Sequence, residues 1–211
     1  LHSHPKVESI MYALRNTPCL TGCDFCNQVF DAHKGLKTFF GFDSYRTYNN
    51  QSLQEDAVKA ALKGNIFAQY SLGFIYYEGE EVEQNLEYAF KWYKEAAEKG
   101  FAPAEYALSY LYKNAEGCEK NDIKAFYWLE EAADNDFEDA YYILGQSYLE
   151  GNSIIETNYK KAFFYLSKGV NKKDKNCLES LGDMYYWGLY VKEDKEKAFS
   201  LYKDSIEEGN V

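Results

Sequence analysis

Cys19, Cys23, Cys26 and His33 are the residues whose types and spacing come nearest to a chemical site. Thiolates and an imidazole at compact spacing supply a tetrahedral Cys3His set of the kind that holds structural zinc. Three thiolates at C-x3-C-x2-C spacing are also a set that holds iron–sulfur clusters. Free or partly oxidised thiols are the third reading, and zinc is the more economical of the two metal readings. The other familiar chemistries lack their parts. The chain has only His2, His4 and His33, so no serine or cysteine further along has a histidine at readable distance. The zinc-protease pattern H-E-x-x-H is absent. Glu80-Glu81, Glu130-Glu131 and Glu207-Glu208 are adjacent in sequence, so the members of each pair point to different faces. The expectation is a protein that is not an enzyme, with no cofactor beyond a structural zinc.

A second candidate lies just after the cysteines. Leu36, Phe40-Gly41-Phe42, Tyr45-Arg46 and Gln54 resemble the adenine-recognition motif at the start of RecQ-type DNA helicases. The resemblance implies an aromatic that stacks on adenine and a glutamine that reads its edge. No G-x-x-x-x-G-K-[ST] phosphate loop occurs, so the phosphates of ATP have no cradle and hydrolysis is not expected. The plainer reading of the stretch is an aromatic cap with Arg46 stacked on a ring. The C-x3-C-x2-C spacing likewise resembles that of radical-SAM enzymes, but their chemistry needs a barrel, and the rest of this chain is of another kind.

The remainder of the chain is a repeat. Leu72-Gly73 returns as Leu108-Ser109, Leu144-Gly145 and Leu181-Gly182, and Ala89-Phe90 as Ala125-Phe126, Ala162-Phe163 and Ala198-Phe199. A fixed period of this length marks stacked supersecondary units. In the first helix of a unit, Phe67, Tyr70, Phe74 and Tyr77 fall on one face, and Ala68, Leu72 and Tyr76 on another. A loop at Gly79-Glu80-Glu81 leads to a second helix, from about Leu86 to Lys99, with Ala89, Trp92, Tyr93, Ala96 and Ala97 on its apolar side. Gly100 stands where a left-handed helix ending needs glycine. Small residues at Gly73 and Ala89 allow close approach of the two helices.

The elements A-x-x-x-L-G-x-x-Y, G-x-x-V and A-x-x-W-Y-x-x-A-A-x-x-G resemble the Sel-like repeat, the suppressor-enhancer-of-lin class related to tetratricopeptide repeats. The resemblance covers residues 53–211 and implies an all-α fold, an alpha-alpha superhelix, behind a small N-terminal capping module at residues 1–52. Departures are local: Ser109 and Ala115 replace glycines, and Asn171-Lys-Lys-Asp-Lys stands where a glycine ending is expected. Gly64 and Ala60-Ala61 lie in phase with Gly100 and Ala96-Ala97, so residues 53–63 read as the second helix of a partial zeroth unit ahead of four helix pairs. By analogy with tetratricopeptide repeats, the first helices line a concave groove. That surface would include Phe67, Tyr70, Phe74, Tyr77, Tyr106, Tyr110, Tyr142, Gln146, Glu179, Asp183 and Tyr186. Tyrosines offer stiff contact area with a polar tip, the chemistry of interface hot spots.

Charge limits the partners. Residues 65–211 carry 16 Lys and Arg against 28 Asp and Glu, so the repeats repel nucleic-acid backbones. A basic or aromatic protein segment fits better, and the expected function is a protein-binding adaptor. The alternative is a DNA repair or replication accessory factor acting through the cysteine-containing, RecQ-resembling head. The sequence has no apolar run long enough to span a membrane and no secretory leader pattern in residues 1–30. Cys177 fills a small-residue slot shared with Ala68, Ala104 and Ala140, while Cys118 sits in a loop. An odd count of 5 cysteines without a per-repeat pairing pattern favours a reducing compartment, the cytoplasm.

Overall fold

The computed structural model describes residues 58–79 and 82–209. The chain divides into two units, residues 1–53 and 54–211, and the described helices all belong to the second. Eight helices form four antiparallel pairs: α1 (Ile66–Glu78) with α2 (Leu86–Ala97), α3 (Ala102–Asn114) with α4 (Asp122–Asp134), α5 (Asp139–Glu150) with α6 (Tyr159–Asn171), and α7 (Lys175–Trp187) with α8 (Lys195–Glu208). Among the described residues there is no strand, and no helix is long and apolar enough to cross a membrane.

One register position, held by asparagine three times and by aspartate once, closes each pair. Asn85, Asn121, Asn158 and Asp194 precede the second helices and accept, on a side-chain oxygen, the N–H three residues on at 2.9–3.0 Å. Such caps contribute about 1 kcal/mol each by satisfying an otherwise orphaned donor. The backbone N–H of the same four residues donates to the carbonyls of Tyr76, Tyr112, Tyr148 and Tyr185 at 2.8–3.0 Å. Each cap therefore starts one helix and ties it to the tail of its partner.

The close approach expected at the helix glycines is present. A Cβ on Gly73 would lie 2.6 Å from the Tyr93 ring, and one on Gly182 would lie 2.6 Å from Tyr202. A Cβ on Gly145 would collide with Leu166. Helix α2 stops at Ala97, short of Lys99, because the Lys99 and Gly100 N–H groups turn back to Ala96 and Ala97 as the chain enters the left-handed turn. That turn recurs between units at Gly64, Gly100, Asp136 and Lys173, with φ of 90°, 78°, 61° and 62°. Lys173 thus adopts the conformation itself where a glycine was expected. Ala115 does the same after α3, with φ 58°, where Gly79, Gly151 and Gly188 end the other first helices.

The pairs stack so that each second helix packs on the next first helix: α2 on α3, α4 on α5, α6 on α7. Every seam carries the same ring contact. Phe90 meets Tyr112 at 5.2 Å, Phe126 meets Tyr148 at 5.5 Å, and Phe163 meets Tyr185 at 6.1 Å, all edge-on. The buried residues form two clusters, one from Ala89 to Ala125 and one from Leu129 to Leu201, so α4 contributes to both. Ahead of α1, residues 58–62 are helical. Gln69 Nε2 donates to the Ala61 carbonyl at 3.1 Å, and Lys99 Nζ to the Gly64 carbonyl at 3.0 Å, so this segment covers the outer side of the first pair.

Candidate protein-binding surface

The tyrosines expected to line a groove divide into different roles. Phe67 and Tyr70 each set a ring 5.2 Å from Phe101, and Tyr106 lies 4.8 Å from Phe137. Phe101 and Phe137 are equivalent positions at the ends of successive units, so these three rings space one unit from the next. Tyr70 also lies 5.5 Å from Tyr93, and burial pushes its phenol up to about 12. Burial raises Tyr106 as well, aided by Asp139. Phe74 is half-buried against the first core cluster.

Tyr77 and Tyr110 form a different arrangement, across the seam between the first and second units. Burial, then the neighbouring Glu116 carboxylate, then Tyr110 hold the Tyr77 phenol well above its ordinary range. Tyr110 is 43% exposed, the most open of the residues expected in the groove from the first two units. Glu116 Oε2 is buried without a hydrogen-bond partner among the described residues. The loop that holds Glu116 is pressed onto the start of α2: Gly117, at φ 68°, lies so near the Leu86 carbonyl that any Cβ would collide with it. The Tyr77 phenol bonds the Glu116 carboxylate and neighbours Tyr110, and a carboxylate set beside phenol rings suits an ammonium or guanidinium group that pairs with the charge and stacks on the exposed Tyr110 ring.

Further along, the same register positions turn polar. In α5, Gln146 Nε2 donates to the Tyr142 hydroxyl at 3.3 Å. In α7, Glu179 accepts from Ser205 Oγ at 2.8 Å and Asp183 from the Tyr202 hydroxyl at 2.7 Å. The two acids expected to flank a groove are thus each bonded to α8. Tyr186 stacks edge-on against Trp187 at 4.8 Å, with Lys195 Nζ 5.4 Å from its ring centre. Among the described residues, no hydrogen bond or ring contact joins these C-terminal members to Tyr77 and Tyr110.

Two acidic residues carry roles that the sequence pattern does not mark. Glu116 gave no signal beyond its place after the glycine-replacing Ala115. Glu105 is 2% exposed and accepts from Asn135 Nδ2 on both oxygens, at 2.9 and 3.0 Å. It shares a register position with Gln69, Tyr141 and Leu178, so nothing in the pattern marked it as buried and paired. The adjacent carboxylates do diverge: Glu130 bonds Lys161 and the Tyr148 hydroxyl, whereas Glu131 faces Tyr127. Cys177 is fully buried, and Cys118 Sγ lies 3.6 Å from the Leu111 carbonyl. Cys19, Cys23, Cys26 and His33, and Leu36 to Arg46 with Gln54, lie outside the described residues. Among those described, no three His, Cys, Asp or Glu residues converge as metal ligands.

Comparison with known families matches the Sel1 repeat to residues 66–101, 102–137, 138–174 and 177–210. Among solved structures, a Sel1 repeat protein from Oxalobacter formigenes superposes with a TM-score of 0.71 at 32% identity. That match covers 84% of this chain and 50% of the other. The protective antigen c5321 of uropathogenic Escherichia coli, which displays an SLR fold, superposes with a TM-score of 0.69 at 30% identity, covering 75% of this chain and 34% of the antigen. This chain therefore spans half or less of the length of either relative. Comparison with curated proteins returns no match.

Proposed function

Because this chain belongs to the Sel1 repeat family, we propose that it is an adaptor that grips a basic, aromatic-containing segment of a partner protein on the first-helix surface of its first two units. Sel1 repeats are protein–protein interaction modules, and proteins of the family are typically scaffolds without catalytic activity. The observation that carries the finer reading is the exposed Tyr110 ring beside Tyr77, whose phenol bonds the Glu116 carboxylate. The net negative charge of the repeats draws a basic segment in and raises its on-rate. Tyr70 and Tyr106 support this surface from beneath rather than contacting the ligand.

The test uses the full chain and an array of peptides that pair aromatic residues with either Lys/Arg or Asp/Glu at matched positions. Basic peptides are expected to be retained, and Tyr110→Ala and Glu116→Gln should each weaken retention by about tenfold or more, as hot-spot losses of about 1.4 kcal/mol or more do. Far-UV circular dichroism should be unchanged. Equal retention of acidic and basic peptides, or of basic peptides by both variants, overturns the assignment.

A further inference from the structure

The second helices carry one column of side chains that faces solvent in every unit. Lys91, Tyr127, Phe164 and Ser200 hold this register position on α2, α4, α6 and α8, and all four are exposed. Packing inside the stack therefore does not choose their residue types. On the outer pairs the position is charged or polar. On the two inner pairs it holds rings, Tyr127 at 50% exposure and Phe164 at 53%. One turn earlier, Glu87 and Glu196 flank Ile123 and Lys160, and Ile123 is 69% exposed. The apolar residues are thus gathered on α4 and α6, which have a helix pair on either side. Their exposure owes nothing to either end of the stack.

Each ring is edged by a charge, and the two signs are opposite. The Tyr127 hydroxyl donates to the Glu131 carboxylate on α4, whereas Lys168 Nζ on α6 lies 5.6 Å from the Phe164 ring centre. Glu131 and Lys168 are themselves equivalent positions, one turn past the rings. We propose that this face is a self-association surface, on which a second copy of the chain docks about a two-fold axis parallel to α4 and α6. Such an axis lays α4 of one copy over α6 of the other with both running in the same direction. Equivalent register positions then meet: Tyr127 faces Phe164, Glu131 faces Lys168, and Ile123 lies on the Lys160 stem. Each contact occurs twice, as a self-complementary interface requires, and no like charges meet at these positions. An axis across the helices would instead set Lys160 against Lys168 of the other copy and Ile123 against Glu131. Charge thus selects the parallel axis. The surface lies on the second helices and does not depend on the Tyr110 cluster.

Sedimentation equilibrium of the full chain over a concentration series is the test. A monomer–dimer equilibrium is expected, weakened about tenfold or more by Tyr127→Glu and by Phe164→Lys taken singly. An equimolar mixture of these two variants should dimerise again. In the mixed dimer the introduced carboxylate faces the introduced amine, and the other Tyr127–Phe164 contact is intact. Because both positions are exposed, the variants should melt with the wild type. If one does not, Ile123→Lys carries the test: it sets two ammonium groups together and should weaken the dimer, and Lys160→Glu in the same chain should restore it. A chain that is monomeric at every concentration, or a dimer that folded variants at these positions leave intact, overturns the proposal. So does a dimer weakened by the single variants that neither the mixture nor the double variant restores, because the face then serves another axis or another occupant.

Discussion

The first and last helix pairs share a backbone plan and differ in what their equivalent residues do. In the first pair, Tyr77 is half-buried at a seam; in the last, Tyr186 of the same register is exposed. Phe90 packs on a tyrosine, whereas Phe199 is 72% exposed and meets no ring among the described residues. Tyr70 is pressed between Tyr93 and Phe101, while Glu179 reaches across to Ser205. In a stack, a position's role comes from the neighbour beside it as much as from the helix that carries it. The glycine contacts inside each pair are, by contrast, the same at both ends, because they depend on no neighbour.

That contrast can be broken most sharply at the seam phenylalanines. Phe163→Ala should cost about 3 kcal/mol by removing a packed ring, whereas Phe199→Ala should stay within about 0.5 kcal/mol. Urea unfolding of both variants reads the difference, and equal costs would mean that the two seam positions are alike. Within the pairs the reverse should hold. Gly73→Leu and Gly182→Leu should each destabilise by about 1–3 kcal/mol, since both collide with a tyrosine ring that has little room to move. A silent Gly182→Leu would show that the last pair is looser than the first.

Smaller effects separate the second pair from the rest. Ala115→Gly should stabilise by about 0.5–1 kcal/mol, because Ala115 directly caps its first helix at φ 58°, where the other first helices are capped by Gly79, Gly151 and Gly188. Differential scanning calorimetry should show the gain. Glu105 should give a change with pH. Burial, opposed by the Asn135 hydrogen bonds, raises its folded-state pKa above the ordinary 4.5, so the folded state holds its proton longer than the unfolded chain. The contribution is therefore complete below pH 4.5 and is lost as pH rises through the raised value. Glu105→Gln should melt above the wild type at neutral pH, with the gap closing as pH falls through the raised value toward 4.5 and constant below it. A gap that widens on acidification would reverse the sign of the shift.

The repeat length, the pairing of helices and the close contacts at Gly73, Gly145 and Gly182 were legible in the chain because each recurs in phase and each is local. The division of labour among the tyrosines was not. Helical spacing puts Tyr70, Tyr106 and Tyr110 on related faces, but only the stacked structure shows that Phe101 and Phe137 occupy the first two rings and leave Tyr110 open. Glu179 and Asp183 had the right charge for a groove rim, yet Ser205 and Tyr202 lie across the pair and bind them. Glu116 could not be singled out because its place beside Tyr77 comes from a loop pressed onto another helix, a long-range circumstance without a local pattern.

The tie between each capping residue and its partner helix has a consequence for how the protein is made. The backbone bonds from Asn85, Asn121, Asn158 and Asp194 to the tyrosine carbonyls bridge only 9 or 10 residues of chain. A loop that short costs little entropy to close and closes in well under a microsecond. Each hairpin can therefore be latched on a nascent polypeptide almost as soon as its second helix clears the ribosome, well before the next unit has been translated. With four such latches in series, assembly runs in the direction of synthesis, and each finished pair presents its phenylalanine as the template on which the next one settles.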